Sequence, residues 1–391
     1  MDLQRAYLVI PKLIEQPTWG GTYIVSQKGW QQKPELTNKK IGQSFELFSA
    51  SNLSLCTSSL DNHFNGEITN TKQVYTPTAL QNSLSLQNLI SEDPEAILGV
   101  ETVNKFGSTM QLLIKFTQAL GNSFQLHVKD GTQHDKWKPK PESWYYFEPG
   151  LATLGAKPDV NWQLYEQTVT QLQVSIAAVG TKVLIKKLTY DEAQEQVNKI
   201  VKTANPWQFV NLVELPKGSI VDLSPCGIHH SWEENTERLP LGNVLYELQV
   251  DVSDTASTIR NFDKGKLLPD GTTRPLHIAD YFKFIDRSPD TNNPETHLKK
   301  PKLISETTVY RVEELFRTQY YLLDTITFKS SGTYSEKITS FRHIFVKDGN
   351  CKLTAGTTTL EITAGHSAFI PASAQNYSIT GNINTVVLQS Y

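Results

Sequence analysis

The segments SFQLHVKD, residues 123–130, and KPESWYYF, residues 140–147, decide the predicted fold of this chain. Gln125 and His127 are two positions apart, and side chains two apart on an extended strand point to the same face. Glu142 stands third in the second segment. An amide oxygen, an imidazole and a carboxylate are suitable ligands for a divalent metal ion. The two segments therefore predict strands that carry a metal site lacking one further ligand.

The segment PCGIHH, residues 225–230, offers that further ligand. A turn with proline and glycine at a strand end can present an imidazole at the mouth of a barrel. Adjacent histidines on a strand point to opposite faces, so only one of His229 and His230 can face the metal. A lone histidine is more often structural, but the incomplete site upstream favours a ligand here.

A third group of polar residues follows downstream. Arg260 is a candidate for gripping a phosphate or carboxylate through two hydrogen bonds. Glu247 is a candidate base. Lys140 and Ser123 are expected near the metal, where they would hold a phosphate, although a lysine beside a proline is usually only solvated. The alternative is that Glu247 and Arg260 belong to a solvated strand with a surface arginine. His277 has no obvious partner and is more simply interpreted as structural.

Length and composition describe an ordinary globular protein. The 391 residues favour two domains, since a single core rarely grows that large. The net charge of −3 gives no basic field for a nucleic acid or an anionic membrane, so an anionic substrate would be held locally. Glycine-rich phosphate loops and the G-x-S-x-G and H-E-x-x-H motifs are absent from the sequence.

Cysteine usage and the N-terminal sequence predict a cytoplasmic protein. Cys56, Cys226 and Cys351 form no CxxC pair and no disulfide framework, which suits a reducing compartment. The sequence begins without a basic segment followed by an apolar one. No apolar run approaches the length that spans a bilayer.

Short apolar runs separated by turn residues predict a mainly β chain. These runs lie at 7–10, 41–48, 111–116, 209–215, 220–223, 244–252, 320–328, 341–346, 358–362, 368–370, 377–379 and 385–388. Helices are predicted after the Asp93-Pro94 cap, at 159–174 and, behind a capping box at Thr189–Glu192, over 193–204. The polar stretch 51–80 is predicted to be a loop, and 286–303 a linker.

An internal repeat is predicted between residues 218–230 and 365–376. Both segments run from a glycine through an apolar strand and a proline to a polar residue. His230 lies five positions after Pro225, and Asn376 lies five after Pro371. The second copy lacks the imidazole, so it is expected to bind no metal.

Taken in order, these motifs resemble those of the type I mannose-6-phosphate isomerases (phosphomannose isomerases) of the cupin superfamily. The matching segments are WGG at 19–21, GQSFE at 42–46, LLIK at 112–115, SFQLH at 123–127, KPE at 140–142, PCGIHH at 225–230, the run from Glu247 through Ser253 and Asp254 to Arg260, and RPLH at 274–277. Each motif is weak alone, and the ordered set is fairly specific.

The resemblance implies two cupin-type (jelly-roll) β-barrel domains. The first, over residues 1–300, would be catalytic, with helical insertions at about 91–105 and 155–206. The second, over 310–391, would be a metal-free cupin-like domain.

The resemblance also implies a ligand set and site roles. One zinc ion per chain, or another divalent metal, would be held by Gln125, His127, Glu142 and His230 rather than His229. Ser123, Lys140 and Arg260 would bind the sugar phosphate, and the catalytic residues would be Arg260, Glu247 and Lys140. Glu247 is the first candidate for moving the proton; metal-bound water or His277 is the alternative.

The implied reaction interconverts mannose 6-phosphate and fructose 6-phosphate, in a monomer or homodimer with no nucleic-acid or membrane partner. A non-catalytic cupin that binds sugar phosphates is one alternative, and a cupin isomerase acting on another phosphosugar is a second. A metal-dependent oxygenase is disfavoured, because two histidines and one carboxylate would leave Gln125 unexplained.

Overall fold

A computed structural model describes residues 3–58, 64–69, 72–78 and 82–391. The fold is mainly β, as predicted. In chain order its strands are β1 Tyr7–Ile10, β2 Lys12–Glu15, β3 Ile41–Leu47, β4 Asn52–Ser54, β5 Phe64–Thr69, β6 Lys72–Pro77, β7 Ser83–Ser85, β8 Leu112–Ala119, β9 Phe124–Leu126, β10 Glu142–Tyr146, β11 Gly150–Ala156, β12 Val210–Leu215, β13 Ile220–Asp222, β14 His229–Trp232, β15 Asn243–Val250, β16 Ile259–Phe262, β17 Leu298–Lys299, β18 Lys302–Glu306, β19 Tyr310–Arg317, β20 Leu322–Phe328, β21 Gly332–Lys337, β22 Arg342–Asp348, β23 Asn350–Ala355, β24 Thr358–Thr363, β25 Ser367–Ile370, β26 Asn376–Gly381 and β27 Val386–Ser390.

The helices are mostly short and lie between the strands. They are α1 Tyr23–Gln27, α2 Leu86–Glu92, α3 Pro94–Leu98, α4 Val100–Phe106, α5 Trp162–Leu184, α6 Tyr190–Ala204, α7 Asp254–Ser257, α8 Ile278–Phe284, α9 Pro289–Asn292 and α10 Pro294–His297. Within the described ranges, no helix combines the length and the apolar character that crossing a bilayer requires.

The strands form four sheets with antiparallel pairing. Sheet I has the order β17-β13-β10-β15-β8-β3-β2-β6-β5, and sheet II the order β12-β11-β14-β9-β16. Sheet III has the order β18-β19-β20-β27-β22-β25-β1-β4-β7, and sheet IV the order β21-β26-β23-β24. Sheets I and II hold the segments on which the sequence predicts the metal site.

The two ends of the chain meet in sheet III. The chain leaves sheet I at Lys299 and enters sheet III at Lys302, close to the predicted domain boundary. However, strand β1 pairs with β25, so strands from the beginning of the chain complete the C-terminal sheet. Phe345 on β22 also packs against Phe116 and Tyr246 of sheet I. Sheets I and III therefore share one core, and the division into two domains stays a prediction.

Two polar segments have more structure than predicted. In the described part of 51–80, strands β4, β5 and β6 replace the predicted loop, because pairing of β6 with β2 and β5 supplies order that its own composition does not. The linker prediction for 286–303 is also wrong, since this segment forms α9, α10 and β17. Asn292 there accepts a hydrogen bond from the backbone of Ala156 at 2.9 Å.

The apolar runs predicted as strands each overlap a strand, and the helix predictions hold with changed bounds. The Asp93 side chain caps α3 through the backbone N–H of Ala96. Helix α5 continues to Leu184, ten residues beyond its predicted end at 174, and buries Tyr165, Val169, Leu172, Ile176 and Val179 along one side. Strand β11, at the start of the predicted helical insertion, was not predicted.

The predicted capping box of α6 is present and supports a stability prediction. The Thr189 hydroxyl accepts from the Glu192 N–H at 3.3 Å, and the Thr189 N–H donates to the Glu192 carboxylate at 2.9 Å. Thr189→Ala is expected to lower the free energy of unfolding by about 1 kcal/mol in urea titrations. Thr203→Ala is the matched control, because its hydroxyl only bonds a carbonyl within the same helix. Equal losses in the two variants would contradict this assignment of the cap.

The internal repeat is confirmed as a repeated path between sheets. After Gly218 the chain runs through β13 of sheet I to β14 of sheet II, and after Gly365 it runs through β25 of sheet III to β26 of sheet IV. His230 of the first copy is buried, whereas Asn376 of the second is exposed. The equivalent positions therefore differ in environment as well as in chemistry.

A buried carboxyl on β20 gives this part of the fold a pH dependence. Burial raises the pKa of Asp324 from 3.8 to about 7, with smaller contributions from neighbouring charges. The folded chain thus holds a proton between about pH 4 and pH 7 that the unfolded chain has lost, so stability falls as pH rises through this range.

Asp324→Asn is expected to remove the loss of stability that the parent chain shows as the pH rises. At pH 8 the variant should be more stable than the parent chain by on the order of 3 kcal/mol, and at pH 4 the gain should vanish. Urea unfolding at the two pH values measures both differences. Asp348→Asn, on the half-exposed end of β22, is the control and should change little. A gain of equal size at both pH values would show that desolvation of the charge is not its cause.

Candidate metal centre and substrate cavity

Three site residues lie in one row across sheet II. His230 on β14 is the direct partner of Gln125 on β9, and Gln125 is the direct partner of Arg260 on β16. Partners that lie opposite each other in an antiparallel pair share a face of the sheet. His230, Gln125 and Arg260 are therefore brought together from positions far apart in the sequence.

The neighbouring His229 lies on the other face of the sheet. Its ring packs edge-on against Phe124, with the ring centroids 4.5 Å apart, and its Nδ1 is hydrogen-bonded to the hydroxyl of Tyr281. Both contacts belong to the core beneath the helices. The alternation along β14 thus leaves His230, and not His229, on the same face as Gln125. Strand alternation in the sequence left the choice between these two histidines open.

The Glu142 carboxylate of sheet I reaches two histidines, His230 on β14 and His127 directly after β9. Its Oε1 lies 3.0 Å from Nε2 of His230, and its Oε2 lies 3.4 Å from Nε2 of His127. Ligand atoms of these three residues all lie within 4.8 Å of one another. All three side chains are buried, so the group is a buried cluster between two sheets.

The protonation of the cluster suits a metal ion. Burial lowers the pKa of His127, and the neighbouring carboxylate of Glu142 opposes that shift. Burial alone would raise the pKa of the Glu142 carboxyl, but His127 and His230 hold it well below its ordinary range. His127 donates from Nδ1 to the carbonyl oxygen of Ser257 at 2.8 Å, which leaves its Nε2 as the lone-pair nitrogen.

The donor set fits a divalent cation. The Nε2 atoms of both His127 and His230 are buried without a hydrogen-bond partner, although both are close to Glu142. Such orphaned nitrogens are costly unless a cation or water occupies the point at which they converge. Gln125 donates from its amide to the hydroxyl of Ser123 at 3.2 Å, which orients the amide and leaves its oxygen for the cation.

A second row of polar side chains lies on sheet I. Glu247 on β15 is opposite Trp144 on one side and Lys115 on the other. The Lys115 ammonium is 3.3 Å from Glu247 and donates to Gln249 at 2.6 Å. Burial raises the pKa of Glu247, Lys115 partly offsets that rise, and the charge of Glu142 adds to it. Glu247 is thus a carboxylate with increased proton affinity near the metal ligands.

Lys140 is the buried half of an ion pair at the cavity wall. Its ammonium lies 2.9 Å from the carboxylate of Asp254, on α7. Burial alone would lower the pKa of Lys140, but the carboxylates of Asp254, Glu142 and Glu247 raise it above its ordinary value. The same contact holds the pKa of Asp254 below its usual range. Lys140 is therefore a permanent cation beside the cluster.

One cavity of about 300 Å³ joins these groups. Of the residues in the predicted site, Ser123, Gln125, Lys140, Glu142, His230, Glu247 and Arg260 line it. His127 lies behind Glu142, and His277 is not among the described lining residues. The backbone N–H of His277 donates to the carbonyl of Arg260 at 2.7 Å, so this residue supports β16 from outside the cavity.

Sequence reasoning missed several cations of this cavity. They are Lys72, Lys115, Lys266 and Arg274. Lys115 left a signal, because it is a charged residue inside the otherwise apolar run 111–116, and buried charges are normally paired. Lys72 left none, because its strand falls in the stretch predicted as a loop. Together with Lys140 and Arg260 these side chains make the cavity suitable for an anion.

Comparison with known proteins supports the expected resemblance. Residues 317–390 match the family model described as mannose-6-phosphate isomerase, cupin domain. This match lies in sheets III and IV, outside the candidate metal centre. A comparison with curated protein sequences gives no significant match.

Solved structures match over nearly the whole chain. Mannose 6-phosphate isomerase from Bacillus subtilis has a TM-score of 0.67 and 14% identity, and the match covers 99% of this chain and 100% of that one. A mutant of phosphomannose isomerase from Salmonella typhimurium has a TM-score of 0.62 and 15% identity, covering 98% and 99%. A zinc-bound mannose 6-phosphate isomerase has a TM-score of 0.61 and 15% identity, covering 98% and 99%. At these identities the likeness establishes a shared fold.

Proposed function

We propose, from the fold shared with the mannose-6-phosphate isomerases and the cupin-domain match at residues 317–390, that this chain is a metal-dependent aldose–ketose isomerase. Its proposed reaction is the interconversion of mannose 6-phosphate and fructose 6-phosphate. The observation that carries the proposal is one cavity whose lining combines three metal-ligand candidates, Gln125, Glu142 and His230, with a buried carboxylate of raised pKa, Glu247, and several cations.

The proposed cofactor is one divalent ion per chain, most simply zinc. His127, Glu142 and His230 would hold it, and Gln125, which faces the same point from the row on β9, would be the fourth ligand. When bound, such an ion supplies Lewis acidity toward the sugar oxygens. The zinc-bound relative of the same fold supports this choice of metal.

Glu247 is the proposed residue that moves the proton. Isomerisation of an aldose to a ketose transfers a proton between C1 and C2 through an enediol, so a base is needed near those carbons. Glu247 shares a face of sheet I with Glu142, from which it is one strand away. Burial increases its proton affinity, which suits a group that takes up a proton at C2 and returns it at C1.

The cations of the cavity have two proposed roles, which are stabilisation of the developing charge and binding of the phosphate. Arg260 and Lys140 would stabilise the negative charge that develops on the enediol oxygens, and both would also hold the phosphate with Ser123. Lys140 keeps its charge throughout because carboxylates surround it. Lys266 and Arg274 extend the positive wall of the cavity beyond Arg260 and would contribute to the phosphate end.

The alternatives make different demands on the same cavity. A non-catalytic cupin that binds sugar phosphates needs the cations but not a base of raised pKa, and Glu247 favours the enzyme. A metal-dependent oxygenase would use His127, Glu142 and His230 alone and leave Gln125 without a role. An isomerase for another phosphosugar remains the nearest alternative, since cavity volume and charge do not distinguish hexose phosphates.

The experiment is an assay of the purified, zinc-supplied protein against a panel of aldose phosphates, with formation of the ketose phosphate followed by NMR. Mannose 6-phosphate is expected to give the highest kcat/KM. Turnover of another aldose phosphate with mannose 6-phosphate inert would replace the substrate but keep the reaction class. Saturable binding of all of them without turnover would establish the binding protein instead.

A further inference from the structure

A lysine near the edge of sheet I reaches the candidate substrate cavity. Lys72 is the first residue of β6 and lines this cavity. Strand β6 lies between β2 and the edge strand β5. None of the proposed metal ligands or catalytic residues lies on these three strands, so Lys72 joins the site from outside its centre.

The register of the strands directs the Lys72 side chain toward the cavity. Gln43 on β3 is the partner of Ile14 on β2, and Ile14 is the partner of Val74 on β6. Gln43 lines the cavity, and residues that lie opposite each other share a face of the sheet. Lys72 is two positions before Val74 and therefore points to the same face. Val74 is buried, whereas Lys72 keeps part of its surface exposed, so Lys72 lies at the mouth of the cavity.

The Lys72 ammonium has no anionic partner of its own in the described part of the chain. Among those residues no hydrogen bond and no ion pair involves it. Loss of solvent lowers the pKa of Lys72, and the carboxylate of Asp254 opposes this shift, but that carboxylate is paired with Lys140 at 2.9 Å. Three neighbouring cations lower the pKa of Lys72 further, and they are Lys115, Arg274 and Arg260. A cation held among like charges in this way is stabilised by an added anion.

Positive charge exceeds negative charge along the cavity wall. Six cations and three carboxylates are among the described lining residues. Each carboxylate is already engaged, Glu142 by the two histidines, Glu247 by Lys115 and Asp254 by Lys140. The remaining positive charge suits an anion from outside the chain, and a phosphomonoester carries a charge of about −1.5 to −2 at pH 7.

We propose that Lys72 is a specificity-determining residue, which holds the phosphate of the substrate at the mouth of the cavity and so selects phosphorylated over neutral sugars. Its ammonium would donate to a phosphate oxygen, beside Arg260 and Arg274. Because Lys72 is partly exposed, it would meet an incoming anion before the inner cations do and would raise the association rate. This inference rests on the proposed function, from which it takes the phosphorylated substrate.

The test is calorimetric titration of the zinc-loaded full chain with sorbitol 6-phosphate, which has no carbonyl group to isomerise. Lys72→Gln is expected to weaken binding roughly tenfold, the effect of losing a hydrogen bond between charged groups. Lys72→Arg keeps the charge and should restore most of the affinity. Lys39→Gln is the matched control, because Lys39 also contacts β6, 5.6 Å from the ring centroid of Tyr75, but pairs with Glu15 and does not line the cavity.

Kinetics on mannose 6-phosphate separates this inference from the proposed function. Lys72→Gln should raise KM roughly tenfold and leave kcat nearly unchanged, because the phosphate is held equally in the ground state and the transition state. Equal affinity of the parent chain and Lys72→Gln for sorbitol 6-phosphate, or no binding by the parent chain, would overturn the inference. Absence of turnover in both chains, with binding weakened in Lys72→Gln, would reject the isomerase and leave Lys72 as a phosphate-binding residue.

Discussion

His230→Gln is expected to lose its divalent metal, whereas the adjacent His229→Gln keeps it. His230 lies on the cavity face of β14 with its Nε2 3.0 Å from Glu142, and His229 lies on the opposite face beside Tyr281. Replacing a residue that merely supports a ligand already costs 10–100-fold in affinity, so loss of the ligand should cost roughly 100-fold or more. Metal affinity is measured by competition with a chromophoric chelator.

The pair of variants is matched in sequence position and in burial, but not in stability. His229→Gln disturbs a buried hydrogen bond and is expected to cost about 1–3 kcal/mol in unfolding free energy. Metal affinity is therefore compared at a temperature at which both variants are shown to be folded by circular dichroism. Metal loss in His229→Gln with retention in His230→Gln would mean that β14 is shifted by one residue.

Glu247→Gln is expected to lower kcat by roughly 10²–10⁴-fold while metal content and KM change little, because only proton transfer is removed. The substitution keeps the size of the side chain and the hydrogen-bonding shape toward Lys115. Since burial raises the pKa of Glu247, removal of its charge is not expected to destabilise the chain strongly. The measurement combines steady-state kinetics on mannose 6-phosphate with metal analysis of the same preparation.

Gln249→Ala is the control for this variant. It removes the other acceptor of Lys115, at 2.6 Å, but leaves the Glu247 carboxylate in place. Its kcat is expected to fall much less than that of Glu247→Gln. If Glu247→Gln kept nearly full kcat, the proton would have to be moved by another group, such as metal-bound water. His277 is a poor substitute, because it contacts the outer side of β16.

Local patterns were sufficient to predict most elements that position the site. The period of two in 123–127, the apolar run before it and the proline–glycine turn at 225–227 each depend on neighbouring residues alone. The same is true of the capping box of α6.

The choice between His229 and His230 could not be made from local patterns, because strand alternation says only that the two side chains point to opposite faces. Packing of His229 under α8 decides it.

The features that the sequence did not predict depend on the pairing of strands that are far apart in the chain. Lys115 and Glu247 are 132 positions apart and meet only because β8 and β15 are paired in register. Strand β1 completes sheet III from the opposite end of the chain, which no local pattern indicates. Strands β5 and β6 are polar and gain their order from their neighbours in sheet I. The cations that complete the cavity could therefore not be assigned from sequence spacing.

Titration of metal back into the chelated protein tests the central claim most directly. The claim is that His127, Glu142 and His230, with Gln125, hold one divalent ion on which isomerisation of mannose 6-phosphate depends. Metal-free protein should have negligible activity, and activity should rise linearly with added zinc and level off at one equivalent per chain. Full activity in protein verified to be free of metal, or zinc binding at one equivalent without any isomerase activity, would contradict the account.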